Sequence, residues 1–390
     1  MKLLWGSPLP PSRSGVSDYA VELLGELGSR ARVRVLEPPG WHRPDNWSLS
    51  GTVELVPSDT APSSDEISLI HLGNNSHHRW LLDRLDGPRT VVVMHDLVLH
   101  HLLVEATVGE GDDERFEKEL VIAHGESGLA LARARRVGVS GARDPFLFPA
   151  RGAFLEGAEG VIVHSQWAER IVTAEHPKIP VAAVGLPAAD PGVFDRGEQR
   201  RRLGVADDDV VLMHLGFLSP EKGLADVLTG VAAAVRAGVP AHLLLVGEGG
   251  GLDDLLAAAA RVGVGDRVTA TGWMPPDEFL RIPAAADLGI VLRTPSAGET
   301  SAAAIRFLAC GTPVAVGGTN QFLEWPESAA PRITPGPPAP AEIARILAEA
   351  ASGGATWEER RRAARAAYEL SHRPADTARK MVGFLEGLEP

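Results

Sequence analysis

The chain is predicted to fold as α/β, with two Rossmann-like, doubly wound domains facing a central cleft. Three observations carry this. Its 390 residues exceed what one hydrophobic core normally holds. Short apolar runs alternate with helix-period segments along most of the length, the pattern of a parallel sheet covered by helices. The alternation pauses once, in the Pro-, Ala- and Asp-rich stretch 185–199, which reads as a linker, and then starts again. The division expected is a first domain over 1–186 and a second over 187–371.

In the first half, 2–5, 33–36, 68–72, 90–94, 160–163 and 181–184 read as strands, being Leu-, Val- and Ile-rich runs of strand length. Helices are expected between them at 16–27, 77–85 and 115–134. In the second half, strands at 210–215, 242–246, 268–271, 288–292 and 313–316 alternate with helices at 223–237, 252–261, 276–282 and 301–309. The proline-rich segment 335–340 reads as a loop. Helices at 357–370 and 376–388 close the sequence. In sheets of this kind ligands bind at the carboxyl ends of the strands.

Composition narrows the function. The net charge of −13 argues against a nucleic-acid binder held by phosphate contacts. The single cysteine, Cys310, excludes an internal disulfide framework and a cysteine-cluster metal site. No run of about 18 apolar residues predicts a membrane span, and the opening Met1-Lys-Leu-Leu-Trp-Gly6 reads as a buried strand rather than a secretory leader. A cytoplasmic enzyme is expected, with peripheral membrane contact at most. Arg133, Arg135 and Arg136 form a local basic patch that reads as a solvated helix face.

Polar residues gather where strands are expected to end. Arg293 to Ser301 reads as a glycine-containing turn opening a helix. Unpaired N–H groups there, with the helix dipole, suit a phosphate or sugar hydroxyls. Thr300 and Ser301 add hydroxyls, Glu299 accepts from sugar hydroxyls, and Arg293 pairs with phosphate. The plainer alternative is that Glu299 and Ser301 only cap and charge the helix start. Arg13, Ser14 and Gly15 precede another helix, with Asp18 in its first turn, so an anion or an acceptor sugar fits there; ordinary capping is again the alternative. His95 and Asp96 follow the strand 90–94, where an imidazole can position a hydroxyl. With His100 and His101 they also permit, without specifying, a metal site. His77 and His78 read as surface or helix residues and His124 as a weaker cleft candidate. Gly216 and Lys222, then Gly247, Glu248 and Gly249, repeat the strand–glycine–helix theme, and several such turns at successive strand ends converge on one side. No Walker-type phosphate loop and no Gly-x-Gly-x-x-Gly follows the first strand, which disfavours a nucleotide-dependent oxidoreductase.

Taken in order, Gly216…Glu221-Lys-Gly223, Leu245-Val-Gly-Glu-Gly249, Val268…Gly272-Trp-Met274, Ala285-Ala-Asp287, Gly298-Glu-Thr-Ser301 and Ala309-Cys-Gly-Thr-Pro-Val314 resemble the GT-B retaining glycosyltransferases, similar to glycosyltransferase family 4 (glycosyl transferases group 1). The resemblance covers most of the chain. It implies transfer of a sugar from a nucleotide-diphosphate donor to an acceptor hydroxyl, in glycan or polysaccharide biosynthesis, with no metal and no cofactor. The partners implied are the nucleotide-sugar donor and a sugar or lipid-linked sugar acceptor. It also implies that helix 372–390 crosses back onto the first domain. The donor site implied comprises Gly15, Gly216, Phe217, Lys222, Gly247, Glu248, Trp273, Met274, Arg293, Gly298, Glu299, Thr300 and Ser301. Ser14, Asp18, His95 and Asp96 fall to the acceptor, and His95, Glu299 and Lys222 to catalysis. Two positions depart from the family pattern. Phe217 stands where an arginine usually pairs with the lysine, and Arg306 where a second glutamate often holds the ribose. A non-catalytic sugar- or nucleotide-binding relative is the alternative.

Overall fold

The computed structural model describes residues 1–45, 47, 49 and 52–388. They divide into two compact units, one of Met1–Pro187, Ala297–Thr300 and Pro374–Pro390 and one of Ala188–Ser296 and Ser301–Arg373. Each unit is built on a parallel sheet.

The first sheet comprises β1 (Lys2–Gly6), β2 (Arg32–Leu36), β3 (Val53–Val56), β4 (Glu66–Leu72), β5 (Thr90–Met94), β6 (Gly160–Val163) and β7 (Val181–Ala183), in the order β3-β2-β1-β4-β5-β6-β7. Around it lie α1 (Gly15–Gly28), α2 (His100–Ala106), α3 (Asp113–Arg136), α4 (Asp144–Leu147) and α5 (Gln166–Glu175). The second sheet comprises β8 (Val210–Leu215), β9 (Ala241–Val246), β10 (Val268–Gly272), β11 (Leu288–Val291), β12 (Val314–Gly317) and β13 (Arg332–Ile333), in the order β10-β9-β8-β11-β12-β13. Its helices are α6 (Arg196–Arg202), α7 (Leu224–Arg236), α8 (Leu252–Arg261), α9 (Pro276–Arg281), α10 (Ala302–Ala309), α11 (Ala339–Ser352) and α12 (Gly354–Ser371). The last helix, α13 (Pro374–Glu386), packs on α1 of the first unit. Central strands such as β5 and β8 are buried along their whole length, which is why they read as continuous apolar runs rather than alternating ones.

Several elements differ from the sequence expectation. The stretch 185–199 is not all linker, because Asp195 caps α6 by accepting from Glu198 N at 3.1 Å. Segment 335–340 is not all loop: α11 begins at Ala339 with Pro340 in its first turn, where a missing N–H breaks no helical bond. The segment expected as a helix over 77–85 is a 3-10 turn, Ser76–Arg84. The short strand β3 and helix α5 were not expected. Ser165 starts α5 by accepting from Ala168 N at 3.1 Å, a cap hidden by the apolar run before it.

Candidate functional site

In the second unit the ends of β8, β9 and β10 are braced through backbone. Gly216 N donates to Val246 O at 2.8 Å, Leu218 N to Glu248 O at 2.9 Å and Gly247 N to Gly272 O at 3.0 Å. The approach is so close that a Cβ on Gly247 would lie 2.0 Å from Gly216 O, and one on Gly249 2.1 Å from Leu218 O. These glycines therefore let three strand-end loops meet.

Lys222 ends the 3-10 turn Pro220–Lys222 that follows β8. Thr294 N donates to Glu221 O at 2.9 Å, tying the loop after β11, and so Arg293, to that turn. Burial first, then the charges of Lys222 and Arg293, push the His214 imidazole down to about 4 despite its bond to Phe217 O. Lys222 and Arg293 thus converge on the end of β8. Phe217 (55 % exposed) and Trp273 (52 % exposed) stand in the same set of loops, with Met274 half-buried beside Trp273. Arg306 is 5 % exposed and stacks over Phe279, its Cζ 5.6 Å from the ring centroid. Ser301 caps α10 by accepting from Ala304 N at 3.3 Å.

Asp287 of the Ala-Ala-Asp motif serves structure. Its carboxylate accepts from Arg196 and Arg200, each at 2.5 Å, and from Val211 N at 2.9 Å. Arg361 adds a fourth contact at 3.3 Å.

The first unit gathers His95, Asp96 and the segment Ala297–Thr300. Ala297 O accepts from Leu97 N at 2.8 Å and Val98 N at 3.1 Å, and Thr300 Oγ1 donates to His164 O at 3.2 Å. Gly298, with φ +79°, passes so close to Leu97 that a Cβ would lie 2.9 Å from the leucine Cβ. Glu299 is 8 % exposed. Asp96 Oδ2 accepts from Asn74 N at 2.8 Å, and Asn74 Oδ1 from His101 N at 2.9 Å. This couples the β4 and β5 loops to the start of α2. His100 bonds Phe148 O at 2.7 Å, away from Asp96. Ser14 caps α1, accepting from Ser17 N at 3.2 Å, and Gly15 begins that helix with Asp18 exposed in its first turn.

The ends of adjacent strands β4, β5 and β6 place three histidines in one hydrogen-bonded row. His71 Nδ1 lies 3.0 Å from His95 Nε2, His95 Nδ1 lies 3.1 Å from His164 Nε2, and His164 Nδ1 lies 2.9 Å from Val184 O. A carbonyl only accepts, so His164 Nδ1 carries the hydrogen. In the uncharged row every ring is then the Nδ1–H tautomer, each donating toward Val184, and His71 Nε2 is left without a hydrogen-bond partner. Burial, then the charge of the neighbouring histidines, holds His71 and His95 well below the ordinary imidazole value. Both ring nitrogens of His95 are thus engaged by protein, which sequence reasoning did not anticipate. The available signal was a histidine in each of the apolar runs 68–72 and 161–165. His78 departs from its surface reading: it is buried, donates from Nδ1 to His71 O at 2.8 Å, and is pushed by burial down to about 4.

Each unit also carries a cavity. One of about 870 Å³ in the second unit is lined by Ser219, Gly223, Gly251, Arg293 and Thr294 among others. One of about 710 Å³ in the first unit includes Leu9, Ser12, Trp41, Arg79 and Trp80, and none of the acceptor residues expected from sequence.

Two Rossmann-like parallel-sheet domains with glycine-braced strand ends define the GT-B fold class. Sucrose-phosphate synthase from Thermosynechococcus elongatus superposes with a TM-score of 0.68 at 17 % identity, covering 100 % of this chain and 99 % of that one. The Anabaena protein HepE, solved with UDP, superposes with a TM-score of 0.63 at 15 % identity over 99 % and 100 % of the two chains. More particularly, residues 195–370, within the second unit, match the family model of glycosyl transferases group 1. A D-inositol 3-phosphate glycosyltransferase of Segniliparus rotundus is 38 % identical over 33 % of this chain and 30 % of its own length. The 2-deoxystreptamine glucosyltransferase of Streptomyces kanamyceticus is 31 % identical over 38 % of each chain. A GDP-mannose-dependent phosphatidylinositol monomannoside mannosyltransferase of Mycobacterium tuberculosis is 27 % identical over 82 % of this chain and 80 % of its own. The first two alignments span well under half of those relatives.

Proposed function

We propose that the chain is a retaining, metal-independent glycosyltransferase that moves a sugar from a nucleotide-diphosphate donor to an acceptor hydroxyl. The observation that carries this reading is the convergence of Lys222 and Arg293 on the end of β8, in a unit whose residues 195–370 match glycosyl transferases group 1.

As the bond from the anomeric carbon to the phosphate oxygen breaks, its electron pair goes to the leaving diphosphate. Lys222 and Arg293 stabilise that growing charge. The acceptor oxygen forms the new bond, and its proton passes to the departing phosphate. This route needs no protein base, which agrees with a His95 whose two nitrogens are already engaged. In the first unit Glu299 accepts from donor-sugar hydroxyls, and His95 presents a ring of fixed orientation. The cations take the place of a metal.

A thermal-shift screen against UDP, GDP, ADP and TDP and their common sugars tests the reading. One nucleotide should raise the melting temperature, and Lys222→Ala should abolish the shift. Proton NMR of the product should show the donor's anomeric configuration, with turnover unchanged by EDTA. Inverted product, or activity lost to chelation, would refute the corresponding part. No shift with any nucleotide would favour the non-catalytic relative.

A further inference from the structure

The register of the first sheet aligns three histidines. His71 pairs with Val93, and Val93 with Ile162. His95 and His164 each stand two residues further on, and side chains two residues apart along a strand share a face. The three rings therefore meet on one face at the strand ends, in the hydrogen-bonded row from His71 through His95 to His164. Backbone fixes the far end of the row. Val184 N donates to Val163 O at 2.8 Å, and Val184 O holds His164 Nδ1 at 2.9 Å. Because that carbonyl only accepts, the hydrogens of the uncharged row all run one way, and His95 carries its hydrogen on Nδ1. The opposite tautomer at His95 would set N–H against N–H toward His71 and lone pair against lone pair toward His164.

Aromatic rings close the row. The Trp5 ring lies 3.9 Å from that of His71, centroid to centroid, and Tyr19 stands edge-on to His95 at 4.8 Å. The row also carries the segment that bears Glu299. His164 O accepts from Thr300 Oγ1 at 3.2 Å, and Leu97 N, two residues after His95, donates to Ala297 O at 2.8 Å. Between these bonds Gly298 lies so close to Leu97 that a Cβ would meet the leucine side chain at 2.9 Å. Glu299 thus sits between two fastenings, one on the strand end of His95 and one on His164 itself.

We propose that His71 and His164 are positioning residues. By fixing the tautomer and ring orientation of His95 they hold the two fastenings in place, and so set Glu299 toward the donor sugar. The proposal rests on the transferase reading above. It assigns the row to recognition of the sugar and leaves the diphosphate to Lys222 and Arg293.

The test is calorimetry on the full chain, with UDP and UDP-glucose and with GDP and GDP-mannose as probes. His71→Leu removes the donor to His95, and His164→Leu removes the acceptor. Each should weaken the sugar nucleotide that the parent binds by about tenfold, and leave the bare diphosphate within about twofold. His71→Asn, whose amide can replace the Nδ1–H, should restore the affinity. Thr300→Val, which cuts one fastening without touching the row, should reproduce the loss, and it serves where a leucine variant does not fold. Side-chain ¹⁵N NMR of the parent should show His95 protonated at Nδ1 alone, a preference that His164→Leu relaxes. His95 protonated at Nε2 in the parent, equal loss of sugar nucleotide and diphosphate in a folded variant, or full affinity in Thr300→Val overturns the proposal. A parent that binds none of the four probes sinks the transferase reading and the positioning role with it, while the NMR signature judges the tautomer on its own.

Discussion

At the scale of single residues, charge and burial decide more than residue type. In the proposed reading Lys222 and Arg293 hold the donor diphosphate, and a hydrogen bond to a charged group contributes about 1.5–3 kcal/mol. Replacing either with alanine should weaken nucleotide binding by roughly 10- to 100-fold in calorimetry. Lys222→Ala should also raise the His214 titration point above about 4, which NMR can follow, because one of the charges opposing its protonation is gone. His78 and His214, both held near 4, make stability pH-dependent with a definite sign. Their folded values lie below the unfolded value of about 6.5, so the unfolded chain takes up protons first as pH falls. Their contribution is intact above about 6.5 and is lost progressively down to about 4, at about 3 kcal/mol each. Chemical denaturation at pH 7 and pH 4.5 should show the difference, and equal midpoints would refute it. Asp287→Ala should destabilise the second unit by about 3–5 kcal/mol, since it strips the carboxylate from the buried Arg200.

At the scale of elements, the strand ends are positioned by backbone contact rather than by side chains. Gly247→Ala should destabilise the second unit by more than the 1–3 kcal/mol of an ordinary strained backbone position, because its Cβ would overlap Gly216 O as well as occupy φ +139°. A melting temperature within a degree of the parent would count against this bracing. The helices that the sequence reading missed or shortened have local reasons. Cap residue Asp195 and the first-turn Pro340 lie in segments whose composition signals loop, and Ser165 follows directly on an apolar run; capping or tertiary packing overrides the local signal. The long central strands were legible because burial on both faces writes them as unbroken apolar runs.

At the scale of the whole molecule, two compact units, with α13 assigned to the first, lead to an asymmetric response. Removing 374–390 should lower the stability of the first unit, where Gly160 packs against Phe384 and Leu388, and spare nucleotide binding by the second; calorimetry and limited proteolysis would show this. Loss of both together would contradict it. No helix among the described residues is long and apolar enough to cross a membrane. What the sequence by itself determined was the α/β class, most of the strands, and the cationic and glycine-rich strand ends of the second unit, because periodicity, turn chemistry and motif order are local properties. Only the tertiary structure decided that His95 is held between His71 and His164, that Asp96 braces the Asn74 turn, and that Trp41 and Trp80 share a cavity. Each of those relations joins residues far apart in the chain, and which side chains meet at a sheet edge depends on strand order and register, which no local pattern encodes.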